Sequence, residues 1–343
     1  MFGNDDMGID LGSASVYFLV KGKGLVLNER TVVAVERATQ NIIAVGDDAA
    51  GMVGRTPANI LAVRPLAGGM VSDYVLLEKM MRFFMRKVAG KRTLLRPRVI
   101  ISVPSTIKDS EKRQIVDVML DAGAKRVNLV DAPMATAIGA GLNVDEHYGS
   151  MLVRIGASCT DIAVFSLGSM VVHSTLLLAG ERFDEAISRY IRRRHNLMIG
   201  ERTAEELKIN IGAAMQRGDS VPMDVSGRNL ITGLPKTISV SSDEMVEALD
   251  ELIAELIENV HAVLERTPPE LASDIFERGI TLAGGGAQLY GLDRLMEQTL
   301  KVPCRVADDP GACTIRGIGD ILNNLSTLGS KLFVAAQPRR YDE

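Results

Sequence analysis

The chain has no tryptophan and few aromatic or histidine residues. Aromatics make up 4% of its 343 positions, so a surface of rings for stacking single-stranded bases is not expected. The four histidines are scattered at 147, 173, 195 and 261, which argues against a histidine metal centre. Cysteine is scarce as well. Cys159, Cys304 and Cys313 are an odd number without CxxC spacing, so reduced buried thiols are expected rather than a disulfide or zinc site. No apolar run has the length to span a bilayer, and the acidic opening around Asp5 and Asp6 does not fit a signal peptide. These features predict a cytoplasmic protein unless something holds it at a surface. A formal net charge of −4 gives no general attraction to nucleic acid or anionic lipid, so such contact needs a local patch. The basic run Arg192-Arg193-Arg194 reads as a solvated helix end, where cations complement the dipole. No nucleic-acid partner is expected, and no Ser-His-Asp or Cys-His nucleophile set is evident.

What is present is enough apolar residue, 46%, for two domains of ordinary size. Strand and helix patterns alternate, with a weak internal repeat. Strands at 8–10 and 16–20 flank one Gly-centred turn, and strands at 151–155 and 162–166 flank another. Leu77, Met80, Met81, Phe84 and Val88 predict a helix over 78–88, followed by a strand at 99–103 and a helix over 110–122. A short strand at 127–130 leads to a helix from Pro133, a residue tolerated in a first turn. The second half predicts helices over 184–195, 203–215 and 242–264, the middle one opened by a Thr203–Glu206 capping box. A strand at 280–283 then runs into Gly284, Gly285 and Gly286, ahead of a helix over 289–299. The fold class is therefore α/β, with a ligand expected between two similar halves and insertions at 29–73 and 179–238.

The first turn reads Gly8-Ile9-Asp10-Leu11-Gly12-Ser13-Ala14-Ser15. Asp10, at a strand end, suits contact with hydrated Mg²⁺ through water, while Gly12, Ser13, Ala14 and Ser15 offer amides and hydroxyls to phosphate. The three glycines at 284–286 let backbone approach a base or ribose closely. The second turn reads Val153-Arg154-Ile155-Gly156-Ala157-Ser158-Cys159-Thr160-Asp161, with arginine where the first has aspartate.

The order of these turns resembles the actin, Hsp70 and sugar-kinase ATPase superfamily. Within it, residues 7–325 resemble bacterial actins of the MreB type, on stretches such as Gly54-Arg55-Thr56-Pro57, Ala137-Ile138-Gly139-Ala140-Gly141, Ile199-Gly200-Glu201-Arg202-Thr203-Ala204-Glu205-Glu206 and Thr232-Gly233-Leu234-Pro235-Lys236-Thr237. The resemblance implies an actin-like fold of two duplicated ribonuclease-H-like domains, each with a smaller inserted subdomain, and a nucleotide cleft between them. Its divisions fall at 1–30, 74–146 and 316–335 for subdomain IA, 31–73 for IB, 147–178 and 239–315 for IIA, and 179–238 for IIB, with a tail at 336–343. It implies ATP or ADP with Mg²⁺ as cofactors. Ser13, Ala14 and Ser15 match its first phosphate turn, and Gly156, Ala157, Ser158 and Cys159 its second. Glu205, Glu206 and Lys208 match its nucleoside-contacting helix, and Gly285, Gly286, Ala287 and Gln288 its adenosine turn.

Three departures bear on chemistry. The family's metal-side aspartate is Arg154 here, and a guanidinium cannot hold a hydrated cation, although it could pair with phosphate in place of Mg²⁺. The residues after Gly156 are Ala157, Ser158 and Cys159 rather than two glycines and a threonine; a positive φ there would cost about 1 kcal/mol or more. The family's water-polarising glutamate is Ala132, with Asp131 one residue earlier. General-base help is worth about 10²–10⁴-fold, so hydrolysis is expected to be slow or absent unless Asp131 or Asp161 takes over. The resemblance also implies self-assembly into homopolymer filaments, pairing with MreB paralogues, and a place on the inner face of the cell membrane beside cell-wall synthesis proteins. A rival reading is a non-polymerising regulator of an intact paralogue. The loop Lys91-Arg92-Thr93-Leu94-Leu95-Arg96-Pro97-Arg98 puts Leu94 and Leu95 among cations, as expected of a membrane-dipping loop.

Overall fold

A computed structural model describes residues 6–55, 57–68, 70–89, 96–325 and 332–334. Leu94 and Leu95, with the opening Met1 and Phe2, lie outside the described residues. The chain divides into two units, Met1–Val144 with Ala312–Glu343, and Asp145–Gly311, and each has its own core.

The first unit is built on six strands in the order Phe333–Val334, Arg126–Asp131, Arg98–Val103, Met7–Leu11, Ser15–Val20 and Gly24–Arg30. The Arg126, Arg98 and Met7 strands are parallel, and the strand Met7–Leu11 is buried along its whole length, as expected of a sheet covered on both faces. On one face, Met7, Ile9 and Ile101 pack with Leu77, Met80 and Phe84 of the helix Tyr74–Ala89, and with Ile115 and Val118 of the helix Asp109–Asp121. Those helices follow the predicted apolar spacing. On the other face, Gly8 meets Ile318 of the helix Cys313–Asn323. That helix crosses Ala132–Gly139 almost backbone to backbone: a Cβ on Gly317 would lie 1.8 Å from the Ala135 carbonyl oxygen, and one on Gly139 1.9 Å from that of Cys313. Only hydrogen fits at these two positions. The strands Val33–Glu36, Ile42–Val45 and Ile60–Val63 form a separate small sheet within the first predicted insertion.

The second unit repeats the plan. Its strands run in the order Ser169–Leu176, Thr160–Ser166, Ser150–Ile155, Ile280–Ala283 and Cys304–Val306, the last three parallel. The helix Ser242–Glu265 buries Met245, Leu249, Ile253 and Leu256 in this unit's core. It begins with a capping box in which Ser241 Oγ accepts from the Glu244 amide and Glu244 Oε1 accepts from the Ser241 amide. The strands Leu197–Met198, Pro222–Asn229 and Pro235–Ser241 form its small sheet.

Several predicted boundaries shift; the helix expected over 78–88, for one, begins at Tyr74. The helix expected over 203–215 is Glu201–Ile211, capped by Gly200, so Thr203 lies inside it and Glu206 pairs with Arg202 at 2.9 Å rather than closing a capping box. It stops at Gly212, where a Cβ would sit 2.2 Å from the Lys208 carbonyl oxygen. The helix expected from 184 begins at Gly180, because the turn before it supplies carbonyl partners for its first amides. The helix expected over 289–299 is Leu292–Leu300, preceded by the 3₁₀ turn Gly285–Gln288.

The helix crossing gives a direct test. Gly317→Ala drives a methyl into a backbone carbonyl and is expected to lower unfolding stability by about 3 kcal/mol or more. Gly200→Ala, with nothing within 4 Å of its Cβ position, is expected to stay within about 1 kcal/mol of wild type in urea unfolding.

Candidate functional site

The two Gly-centred turns are closed by the same hydrogen bond. The Gly12 amide donates to the Ser15 carbonyl at 3.0 Å, and the Gly156 amide donates to the Cys159 carbonyl at 2.9 Å. Each turn follows the first strand of its antiparallel pair, at the carboxyl edge of its parallel strands. That edge is where open α/β sheets place ligands. Ala157, Ser158 and Cys159 are absent from the residues of positive φ among those described, so the expected Cβ penalty does not arise. The turn accepts these side chains in ordinary backbone geometry, as the first accepts Ser13, Ala14 and Ser15.

In the first unit, Thr31 supports the turn from behind. Its amide donates to the Ala14 carbonyl at 3.0 Å, and its hydroxyl to that of Gly12 at 2.7 Å. Asp10 is 6% exposed and accepts a hydrogen bond from Ser102 Oγ at 2.7 Å. Asp131 ends the next-but-one strand and is the N-terminal boundary of the helix Ala132–Gly139. Its register partner is Val103, whereas Ser102 pairs with Val130. Strand alternation therefore sets Asp131 on the face opposite Asp10 and Ser102. Ala132, 4% exposed, is packed into its helix.

The second unit brings four sequence signals together. The Gly180 amide donates to the Gly156 carbonyl at 3.1 Å and the Glu181 amide to that of Ala157 at 2.8 Å, while Ser158 Oγ donates to Glu181 Oε2 at 2.9 Å. Lys208 Nζ donates to the Gly180 carbonyl at 3.0 Å and to Asp184 Oδ2 at 2.8 Å. The helix carrying Lys208 and the half-buried Glu205 is thus anchored to the second turn. Glycines 284–286 abut that turn too. A Cβ on Gly284 would lie 2.3 Å from the Ile155 carbonyl oxygen, and one on Gly286 2.3 Å from Ile155 Cγ2, while nothing lies within 4 Å of the Gly285 position. The outer glycines serve this contact, and Gly285 is the bare one. Ala287 is buried and Gln288 exposed. Sequence reading missed Thr31, Gly180, Glu181 and Asp184, whose roles arise from contacts remote in sequence. It also missed Tyr290, which lies between Arg217 and Arg294 at 4.3 and 5.3 Å from its ring centre.

Arg154 does not reach outward. Its Nη1 donates to Asp161 Oδ2 at 3.0 Å, and Thr175 Oγ1 donates to Asp161 Oδ1 at 2.8 Å. The three are direct partners across three strands, Arg154 opposite Asp161 and Asp161 opposite Thr175. Asp161 is 1% exposed with both oxygens engaged, which leaves it poorly placed to activate water. Burial, with the Asp161 charge adding to it, pushes the Cys159 thiol up to about 11, so it stays protonated at neutral pH. Around this turn, Arg154 and Lys208 face Asp161, Asp184 and Glu181, so the fixed charges do not favour an anion by themselves. Asp10 suits one water-mediated metal contact, but Arg154 halves the carboxylate pair that the resemblance implies. No cluster of metal-binding side chains occurs among the described residues. The residues fit a nucleotide better than a resident metal.

Two α/β units, each with a strand–turn–strand motif at its carboxyl edge, define an actin-like fold. MreB5 of Spiroplasma citri bound to ADP superposes with a TM-score of 0.91 at 31% identity, covering 96% of this chain and 99% of that one. The MreB/Mbl protein family profile matches residues 4–330. The cell shape-determining protein Mbl of Bacillus cereus is 45% identical over 94% of this chain and 97% of its own length. The cell shape-determining protein MreB of Escherichia coli K12 is 44% identical over 97% of each. The chain belongs to the MreB/Mbl family of cell shape-determining actin homologues.

The ion pair is tested by reversing it. Arg154→Asp places two carboxylates on directly paired positions and is expected to cost about 3 kcal/mol in urea unfolding. Arg154→Asp combined with Asp161→Arg is expected to recover at least half of that loss. A single substitution without cost would rule out the structural role.

Proposed function

We propose that this chain binds an adenine nucleotide, holds it without appreciable turnover, and assembles head to tail into filaments on the inner face of the cell membrane. The observation that carries the nucleotide reading is the matched pair of turns, each closed by one Gly amide hydrogen bond and each backed by further backbone contacts. Asp10, Gly12, Ser13, Ala14 and Ser15, with Gly156, Ala157, Ser158 and Cys159, are the phosphate-side residues. Glu205, Glu206, Lys208 and glycines 284–286, with Ala287 and Gln288, are the nucleoside side, the last two contributing backbone. That MreB5 of Spiroplasma citri has been solved with ADP supports the assignment.

Loss of turnover rests on the missing base. Ala132 cannot orient water, Asp131 lies on the face opposite Asp10, and Asp161 is saturated. Asp10 is the residue that would hold Mg²⁺, through water, and the ion would supply charge neutralisation at the phosphates. Arg154 spends its charge on Asp161 and does not replace it. Filament growth follows from a heterologous contact that does not close, and organisation of cell-wall synthesis from family membership. Homopolymers, paralogues and cell-wall synthesis membrane proteins are the corresponding partners.

With ATP and Mg²⁺, filaments are expected to retain nucleotide and release no phosphate above the uncatalysed background in a continuous phosphate assay. Steady release that Asp131→Asn abolishes would establish a working ATPase instead. On the membrane side, Leu94→Ser with Leu95→Ser is expected to abolish co-sedimentation with liposomes while the protein still pellets alone as polymer; unchanged liposome binding would remove the loop from the account.

A further inference from the structure

The first unit carries a cavity of 320 Å³ at the edge of its sheet opposite Asp10, at the amino ends of the parallel strands. Its floor is apolar, including Met7 and Met85, and its charged lining among the described residues is three arginines, Arg82, Arg86 and Arg96, against one acid, Asp121. That volume falls in the range of small-molecule sites.

The charges divide unevenly. Arg82 is committed: it pairs with Glu78, and its Nη2 donates to the Asp121 carbonyl at 2.8 Å. Its Nε is buried with no partner among the described residues. The Asp121 carboxylate accepts from the Tyr74 hydroxyl at 3.2 Å. Arg86 and Arg96 are exposed and have no ion-pair partner among the described residues. A helix dipole accounts for Arg86, in the last turn of Tyr74–Ala89, but Arg96 belongs to no helix. Nor do they cap the neighbouring helix. The carbonyls of Val118, Met119 and Leu120 accept from the amides of Ala122, Ala124 and Gly123. Gly123, at φ +116° with nothing within 4 Å of its Cβ position, leaves that wall open.

Two unpaired guanidiniums and a buried N–H over an apolar floor match a phosphate group attached to an apolar body. Ala89 and Arg96 border the cavity among the described residues. We propose that this cavity binds the phosphate of an anionic amphiphile, with a phospholipid headgroup as its source; this rests on the membrane reading above. The net charge of −4 makes such a site the local patch that anionic lipid requires.

The test compares full-length variants on vesicles of phosphatidylcholine with and without phosphatidylglycerol. Arg86→Gln with Arg96→Gln is expected to weaken binding to the anionic vesicles roughly 30-fold. Arg192→Gln with Arg193→Gln, the same charge change at exposed positions of another helix, is expected to change it less than about twofold. Both pairs are expected to unfold thermally like wild type. Equal losses in the two pairs, or none in the cavity pair, overturn the proposal. If Leu94→Ser with Leu95→Ser abolishes vesicle binding while the cavity pair matches wild type, the membrane reading stands and the cavity falls. In parallel, calorimetry with glycerol 3-phosphate probes the free ester. Heat with wild type and none with the cavity pair, when vesicles fail to distinguish the two, keeps the phosphate site but overturns the lipid source.

Discussion

The guanidinium of Arg154 stands one residue from the end of a central strand of the second unit, and its 3.0 Å hydrogen bond to Asp161 fixes the chemistry that this edge can offer. Breaking a buried pair strands a charge at a cost of about 3–5 kcal/mol, so neither residue is free to leave for substrate. Thr175 completes the arrangement by holding the second oxygen of Asp161. The turn beyond is then held chiefly by backbone hydrogen bonds, Gly156 to Cys159, Gly180 to Gly156 and Glu181 to Ala157, with Ser158 bonding Glu181. Lys208 and the glycine run 284–286 are positioned against that framework. Under the proposed function, the site can lose its catalytic carboxylates and keep its scaffold, because different groups supply the two.

The fold was largely legible in the sequence because its elements are periodic. Leu77, Met80, Met81 and Phe84 mark one helix, and the alternation around the two turns marks both hairpins. Helix starts were less legible. Gly180 opens a helix because carbonyls at 156 and 157 accept its first amides, and no local pattern encodes that contact. The site was half legible. Glycine and aspartate signals located both turns and the 284–286 run, but the close packing of Gly284 and Gly286 on Ile155 was not evident from sequence. Arg154 read as a candidate for phosphate, since sequence alone does not reveal that Asp161 sits directly across the strand pair. The expected strain does not arise, because the second turn needs no left-handed residue.

Within the first unit, one sheet serves two edges. Its carboxyl edge holds Asp10 and the turn at 12–15, and its amino edge holds the arginine-lined cavity. The helix crossing at Gly139 and Gly317, where no side chain fits, stiffens the layer behind that sheet. Such a layer suits a protein whose nucleotide acts as a structural part of the subunit. Under the proposed function, membrane and polymer contacts would then depend on the folded state rather than on a hydrolytic cycle.

That view is tested most directly by the nucleotide that the protein carries. Chain loaded with ATP and Mg²⁺, assembled, washed and then denatured is expected to yield intact ATP near one equivalent per subunit when the released nucleotide is separated by chromatography. Recovery of ADP would contradict the account by showing that turnover survives without the usual carboxylate. Recovery of no nucleotide would show that the matched turns do not form a binding site.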